Sequence, residues 1–127
     1  MWSFLLQKEI KMIHSESLKK NKDFQRVYHE GTSKADRYLV MYVLENQYNR
    51  NRLGISVSKK VGNSVVRHRI TRLIREIYRL NELSFRNGLD IAVIARQPAK
   101  GKTFAELEKS FMYLAKKHSV TVKEQES

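Results

Sequence analysis

The feature that most limits how this chain can fold is a segment starting at Val65, in which apolar and basic residues repeat with helical periodicity. At the helical increment, five apolar side chains fall within about 100° of one another: Val66, Ile70, Leu73, Ile74 and Ile77. On the opposite side, four basic or histidine side chains fall within about 60°: His68, Arg72, Arg75 and Arg79. Asn63 or Ser64 can cap the start. We therefore predict one helix with an apolar back, which packs on a core, and a cationic front.

The surrounding segment, residues 50–79, is strongly basic. It holds nine Lys/Arg residues and a single acid, Glu76, and thus carries +8 of the chain's formal net charge of +12. A solvated helix face usually mixes both signs in i,i+4 pairs. Here the acid is alone, and arginine, whose fork suits bidentate phosphate contacts, dominates the helix. The pattern favours nucleic-acid binding over simple solvation.

Length and composition indicate one globular domain without covalent staples. The chain has 127 residues, 41% hydrophobic and 30% charged, and no cysteine. The missing cysteines exclude a zinc knuckle, a disulfide framework and a thiol nucleophile, and fit the cytoplasm, where we expect the protein. Residues 2–6 are too short for a signal-peptide core, and no segment resembles a membrane span, so we expect no membrane partner. Met12 offers a second start. We predict a flexible extension over residues 1–14, a domain over 15–120 and a frayed tail over 121–127.

Local patterns predict the other elements. A first helix is expected over residues 21–29, ended by Gly31. Strands are expected over residues 37–45 and 52–58, joined as a hairpin by a polar turn, and a buried strand over 90–96. Thr103 and Glu106 form a capping box for a last helix. A strand–helix–strand unit implies a parallel pair inside a mixed sheet, so the fold class is α+β with helices packed on the sheet.

No protein active site is visible in the sequence. The four histidines show no metal-ligand spacing (His14, His29, His68 and His118). Gly101, Lys102 and Thr103 imitate the end of a phosphate-binding loop, but the first glycine of that motif is missing and Pro98 interrupts it. We therefore expect no catalytic residues, metal site or cofactor in the protein alone.

Four aromatic residues give a second, ambiguous signal. Phe24 and Tyr28 share one face of the first helix, and Tyr38 and Tyr42 share one face of a strand. Aromatic rings among positive charges can stack on unpaired bases. The same rings can simply pack the helix on the sheet, and the residues by themselves leave both interpretations open.

The sequence resembles a known family. RLGISVSKKVGNSVVRHRITRLIRE is similar to the signature segment of the bacterial ribonuclease P protein subunit, and the resemblance spans residues 18–115, including DFQRVYHEGTS, YLVMYVL and IAVIARQPA. Arg67 and Arg69 match the family's Arg-Asn-Arg motif. His68 stands where Asn is usual, and Thr71 where a basic residue is usual.

The resemblance implies both a fold and a function. The fold would be a small α/β sandwich with a mixed four-stranded sheet, element order α-β-β-β-α-β-α and a left-handed strand–helix–strand crossover. The protein would bind the catalytic ribonuclease P RNA and the 5′ leader of precursor tRNA, and assist endonucleolytic removal of that leader. Catalysis would reside in the RNA subunit with its Mg²⁺.

The resemblance also assigns residues to two surfaces. The catalytic-RNA side would comprise Lys59, Lys60, Arg67, His68, Arg69, Arg72 and Arg75. The leader cleft would comprise Phe24, Tyr28 and Tyr42. The alternative class is a basic ribosomal or ribosome-assembly protein, which reconstitution of precursor-tRNA cleavage would distinguish. We expect no DNA partner, because no helix-turn-helix pair precedes the basic helix.

Overall fold

Five strands and three helices make up residues 15–122, the part of the chain that the computed structural model describes. In chain order the elements are β1 (Ser15–Ser17), α1 (Asn21–Glu30), β2 (Thr32–Ala35), β3 (Leu39–Glu45), β4 (Asn51–Ser56), α2 (Ser64–Asn81), β5 (Leu89–Ala95) and α3 (Phe104–Lys117). Short 3-10 turns follow α2 and β5, at Glu82–Ser84 and Gln97–Ala99. The predicted extension, residues 1–14, lies outside the described residues.

The strands form one mixed sheet in the order β1-β4-β5-β3-β2. β5 runs parallel to β4 and antiparallel to β3. The predicted hairpin between β3 and β4 is therefore wrong, because β5 lies between them. β5 is buried along nearly its whole length, and the centre of the sheet is the position where a strand that is apolar on both faces can bury both.

The parallel pair expected from the strand–helix–strand unit is confirmed. α2 connects β4 to its neighbour β5, the crossover for which the resemblance implies a left-handed path. The strand count is five rather than four. The additional strand, β1, pairs in parallel with β4 from Ser15 opposite Asn51 to Ser17 opposite Leu53. It has only three residues, none of them apolar, so its sequence carries no alternation by which to recognise it.

The two faces of the sheet differ in the size of the hydrophobic cluster that each one carries. α2 and α3 cover one face, over a large cluster that includes Leu39, Met41, Ile91 and Phe111, all fully buried. α1 covers part of the other face, over a small cluster of Leu18, Val27 and Ala92. The second face is thus only partly covered. Its half-buried aromatic residues lie where α1 meets the sheet.

The predicted basic helix is confirmed as α2. Its stripe points into the large cluster, with Ile70, Ile74 and Ile77 fully buried and Val66 and Leu73 packed at the margin. Tyr78 joins this buried set, and its hydroxyl bonds Ser15 Oγ at 2.7 Å. Asn63 is the cap, because its Oδ1 accepts from the Val66 N–H at 3.0 Å.

The last helix and the end of the domain are held by specific contacts. The capping box is confirmed: Thr103 Oγ1 accepts from the Glu106 N–H at 3.2 Å, and Glu106 Oε1 accepts from the Thr103 N–H at 3.0 Å. Thr121, just beyond the predicted domain boundary, is buried and bridges antiparallel to Phe85. The tail predicted to fray therefore includes one anchored residue, and residues 123–127 lie outside the described part.

Candidate nucleic-acid interface

The front of α2 forms an open basic groove. Its volume is about 980 Å³, and it is lined by Ser64, Val65, His68, Arg69, Arg72, Leu73, Arg75 and Glu76. His68, Arg69 and Arg72 are exposed, whereas Arg67 and Arg75 are half-buried. The basic side chains of the helix face outward because its apolar stripe is held on the core by Ile70 and Ile74.

The single acid of this helix is already neutralised. Glu76 accepts from Arg79 Nε at 3.0 Å and from Arg79 Nη2 at 2.5 Å, and this hydrogen bonding holds the pKa of Glu76 below its usual value. Within residues 15–122, no ion pair joins Arg67, Arg69, Arg72 or Arg75 to an acid. The groove therefore presents uncompensated positive charge, as an anion-binding surface requires.

Arg67 and Arg69 are held differently from the exposed front. Arg69 donates from Nη2 to the Lys102 carbonyl at 3.0 Å, which joins α2 to the loop after β5. Arg67 Nε is buried without a hydrogen-bond partner among the described residues. Thr71 donates its hydroxyl to the Arg67 carbonyl at 2.9 Å, so this departure from the family motif is satisfied within the helix. His68, the other departure, stays exposed between the two arginines.

Lys59 and Lys60 precede the helix in a short turn. Both are exposed. The turn is anchored by buried Val61, whose N–H donates to the Ser58 carbonyl at 3.1 Å. The two lysines therefore extend the basic surface from the end of β4 to the start of α2.

The three predicted leader residues meet on the other face of the sheet. Phe24 and Tyr28 lie 6.0 Å apart between ring centroids, and Tyr28 meets Tyr42 edge-on at 4.9 Å. All three are half-buried and pack against Leu18, Val27 and Ala92. The rings thus pack α1 on the sheet and also keep part of their surface open to solvent.

Gly54 makes this arrangement possible. A Cβ at this position would lie 2.4 Å from Phe24 Cζ and 2.5 Å from Phe24 Cε1, both far closer than real contacts. In the register of the sheet, Gly54 lies beside Ala92, and Ala92 beside Tyr42. Gly54 and Ala92, two small residues in the same row of the sheet as Tyr42, therefore form the floor on which the Phe24 ring rests.

The next row of the sheet continues the cleft. Ser56 pairs with Ile94, which pairs with Val40, and all three are half-buried. Burial raises the pKa of Tyr28, as does the neighbouring Tyr42 hydroxyl, while the hydrogen bond with Ser56 acts in the opposite direction. These floor residues were not predicted from the sequence. Ser56 follows Gly54 by two residues and so shares its face of β4, but only the insertion of β5 brings Ile94 beside it.

Tyr38 is not part of this cleft, contrary to the expectation that it shares a face with Tyr42. It precedes β3 and packs against the large cluster on the opposite side, where Lys102 Nζ lies 5.5 Å from its ring centroid. Asp36 Oδ1 accepts from the Tyr38 N–H at 2.9 Å. This turn takes Tyr38 out of the strand alternation.

A buried ion pair lies at one end of the cleft. Arg52 donates to Asp90 through Nε at 2.8 Å and Nη2 at 2.7 Å, and Asn46 Nδ2 donates to the same carboxylate at 2.8 Å. Burial raises the pKa of Asp90, but these hydrogen bonds outweigh it and hold the pKa below the usual value. Asp23 of α1 lies 3.5 Å from Arg52, so the pair also ties α1 to the sheet. Sequence patterns did not predict it.

Two other kinds of site are absent from residues 15–122. There, His, Asp and Glu side chains form no group that could hold a metal ion. None of the helices in this range is long and apolar enough to cross a membrane.

A single α+β domain with a basic helix on one side of its sheet and an aromatic cleft on the other belongs to the class of RNA-binding proteins. Comparison with known proteins specifies the family. The ribonuclease P family model matches residues 12–119. The chain belongs to the ribonuclease P protein family, as the resemblance implied.

Individual relatives agree with this assignment. The chain is 58% identical over 106 residues to the ribonuclease P protein component of Lachnoclostridium phytofermentans, covering 84% of this chain and 91% of that protein. It superposes on the Staphylococcus aureus RNase P protein with a TM-score of 0.77, at 45% identity, covering 82% of this chain and 95% of that one. For the Thermotoga maritima RNase P protein the TM-score is 0.74, at 30% identity, covering 80% and 96%.

Proposed function

We propose that this chain, as the protein component of ribonuclease P, binds the catalytic RNA with the front of α2 and the 5′ leader of precursor tRNA in the cleft beside α1. The observation that carries the proposal is the separation of two surfaces by the sheet. One is a groove of uncompensated arginines, and the other a half-open row of aromatic rings. One protein could therefore contact two nucleic-acid segments at once.

The α2 groove suits a structured RNA. Arg72 and Arg75 have no acidic partner within residues 15–122, so phosphates can approach without breaking an ion pair. Lys59 and Lys60 extend the positive surface along the turn before the helix. The exposed amines of these two lysines can contact further phosphates. Arg67, with its buried Nε lacking a partner, and exposed His68 are included in the proposed contact surface.

The cleft suits a single strand of variable sequence. Base stacking on aromatic rings tolerates any base, since every base has a π-face. Tyr28 and Tyr42 are held edge to face at 4.9 Å, and the half-buried row of Ser56, Ile94 and Val40 continues the floor beyond them. We place the leader on this row, with Phe24, Tyr28 and Tyr42 as its aromatic contacts.

The chemistry belongs to the RNA subunit in this proposal. The described residues offer no metal-binding cluster, and the functional surfaces carry cations and rings rather than an acid–base pair. Mg²⁺ would act through the RNA, and the protein would raise substrate affinity by screening the repulsion between two polyanions. The cytoplasm, where precursor tRNA is processed, is the proposed location.

Reconstitution tests the proposal. The purified protein alone should leave precursor tRNA intact, whereas adding it to ribonuclease P RNA at low Mg²⁺ should restore 5′ cleavage. Tyr42→Ala should weaken binding of a precursor with a leader of several nucleotides and leave mature tRNA binding unchanged. Failure to stimulate the RNA would refute the function, and cleavage by RNA-free protein would refute the assignment of catalysis. Stimulation of ribosomal-subunit assembly instead would favour the ribosomal alternative.

A further inference from the structure

A second aromatic pocket lies between α3 and the turn before β3, away from the leader cleft. Its volume is about 390 Å³, and it is lined by Asp36, Tyr38, Glu106, Lys109, Ser110 and Tyr113. This volume falls within the range of small-molecule sites, about 300–1,000 Å³. Neither the family motif nor the leader cleft uses these residues.

The walls of the pocket are fixed by hydrogen bonds. The Tyr38 N–H donates to Asp36 Oδ1 at 2.9 Å, and the Tyr38 carbonyl accepts from the Arg96 N–H at 2.8 Å. Ser110 of α3, which is buried, donates its hydroxyl to Asp36 Oδ2 at 2.5 Å. The turn and the helix are therefore joined at the back of the pocket, and a ligand would find the Tyr38 backbone already ordered.

Both acids of the pocket are engaged by the protein itself. Asp36 accepts from two backbone N–H groups and from Ser110. Glu106 accepts at Oε1 from the N–H and the hydroxyl of Thr103, each at 3.0 Å. Both oxygens of Asp36 are thus directed into the fold, whereas Glu106 is exposed and is held at the rim of the pocket by its Oε1.

Cations surround the two rings. Lys102 Nζ lies 5.5 Å from the Tyr38 ring centroid, and Lys117 Nζ lies 5.4 Å from that of Tyr113. Lys109 of α3 also lines the pocket. Tyrosine rings with amines beside them can bind a base by stacking and its phosphates by charge.

The pocket is also physically connected to the basic helix. Arg69 of the α2 groove donates to the carbonyl of Lys102 at 3.0 Å, and Lys102 covers Tyr38. Lys102 therefore contacts both a residue of the α2 groove and a ring of this pocket. This continuity, together with the positive charge, favours RNA over a protein as the occupant.

We propose that the Tyr38–Tyr113 pocket binds an unpaired nucleotide of the same RNA that occupies the α2 groove, with the base against the tyrosine rings and the phosphate near Lys109 and Lys117. The inference rests on the proposed function of α2. It adds a further RNA-binding site to the protein. The RNA feature recognised there would be a flipped-out or single-stranded base next to an RNA helix.

Equilibrium binding of ribonuclease P RNA to full-length variants tests the inference. Tyr113→Ala should raise the Kd by about five- to tenfold, the lower end of what one stacked base contributes. Tyr113→Phe keeps the ring and should bind as wild type does. Tyr48→Ala is the matched control, because Tyr48 is 57% exposed and Tyr113 49%, and Tyr48 likewise has a cation over its ring. Its Kd should be unchanged.

Ultraviolet cross-linking gives an independent measurement. After trypsin digestion of the wild-type complex, the peptide of residues 110–116 should carry an RNA adduct that Tyr113→Ala lacks. Suppose that wild type and Tyr113→Ala bind the RNA equally well and that neither complex gives the adduct. The inference is then refuted, while the proposed function stands. If wild type does not bind the RNA, both fail.

Discussion

Replacing Gly54 by alanine should disturb the leader cleft and leave the rest of the protein folded. The new methyl group would stand 2.4 Å from Phe24 Cζ, whereas ordinary contacts begin near 3.4 Å. The ring must therefore move by about 1 Å. It can do so because the two closest atoms are the far end of a half-buried side chain, whereas the third, Leu18 Cβ at 3.0 Å, needs to shift by only a few tenths of an ångström. We expect a folded protein whose Phe24 ring no longer rests against Gly54 and Ala92.

The expected magnitude follows from two competing effects. Alanine stabilises a strand position relative to glycine by about 0.4–1 kcal/mol through the unfolded chain, and overpacking costs about 1–3 kcal/mol. The net loss of stability should thus lie between about 0 and about 2.6 kcal/mol. One stacked base contributes about 1–3 kcal/mol. Because the ring is displaced rather than removed, we expect the lower end, about a fivefold loss of leader affinity.

The assay is binding of precursor and mature tRNA to the reconstituted holoenzyme. Gly54→Ala should weaken binding of the precursor and leave mature tRNA unaffected. In a Phe24→Ala background the two closest clashes are absent, and only Leu18 Cβ, at 3.0 Å, remains close to the new methyl group. The added Gly54→Ala change should therefore have a much smaller effect on leader affinity than it has in the wild-type background. An equal loss in both backgrounds, or no loss in either, would refute the argument that Gly54 acts by placing Phe24.

Three further predictions concern other parts of the molecule. Arg72→Ala combined with Arg75→Ala should reduce the slope of log Kd against log salt for the catalytic RNA by about two units, one per lost phosphate contact; an unchanged slope would place the RNA elsewhere. Asp90→Asn should cost about 3 kcal/mol at neutral pH because Arg52 loses its buried partner. The pKa of Asp90 is lowered in the folded state. The ion pair therefore stabilises the fold at pH values above the ordinary pKa of a carboxyl group, and this stabilisation is lost as the pH falls below the lowered pKa of Asp90. The urea-unfolding difference between wild type and variant should therefore shrink near pH 3, and a constant difference would contradict the assignment. Ile74→Ala should cost about 2–5 kcal/mol in the same measurement, and the protein that remains folded should bind RNA as wild type does; a smaller cost would mean that the stripe of α2 is not core.

Nearly every feature of α2 could be predicted from the sequence. The cap at Asn63, the buried stripe of Ile70, Ile74 and Ile77 and the cationic front all match the prediction. The physical reason is that a helix is a local structure. Its hydrogen bonds and side-chain directions depend on residues three or four positions apart, which the sequence shows directly. The capping box at Thr103 was predictable for the same reason.

Only the tertiary structure decided how the strands are ordered. Alternation showed which residues of β4 share a face, but not which strand lies beside it, because strand pairing depends on residues distant in the chain. The placement of β5 between β3 and β4 is a choice that buries an apolar strand on both faces. That choice brings Ala92 beside Gly54 and aligns Asp90 with Arg52. The cleft floor and the ion pair at its end are therefore products of long-range packing, whereas the rings that line the cleft were visible in the sequence.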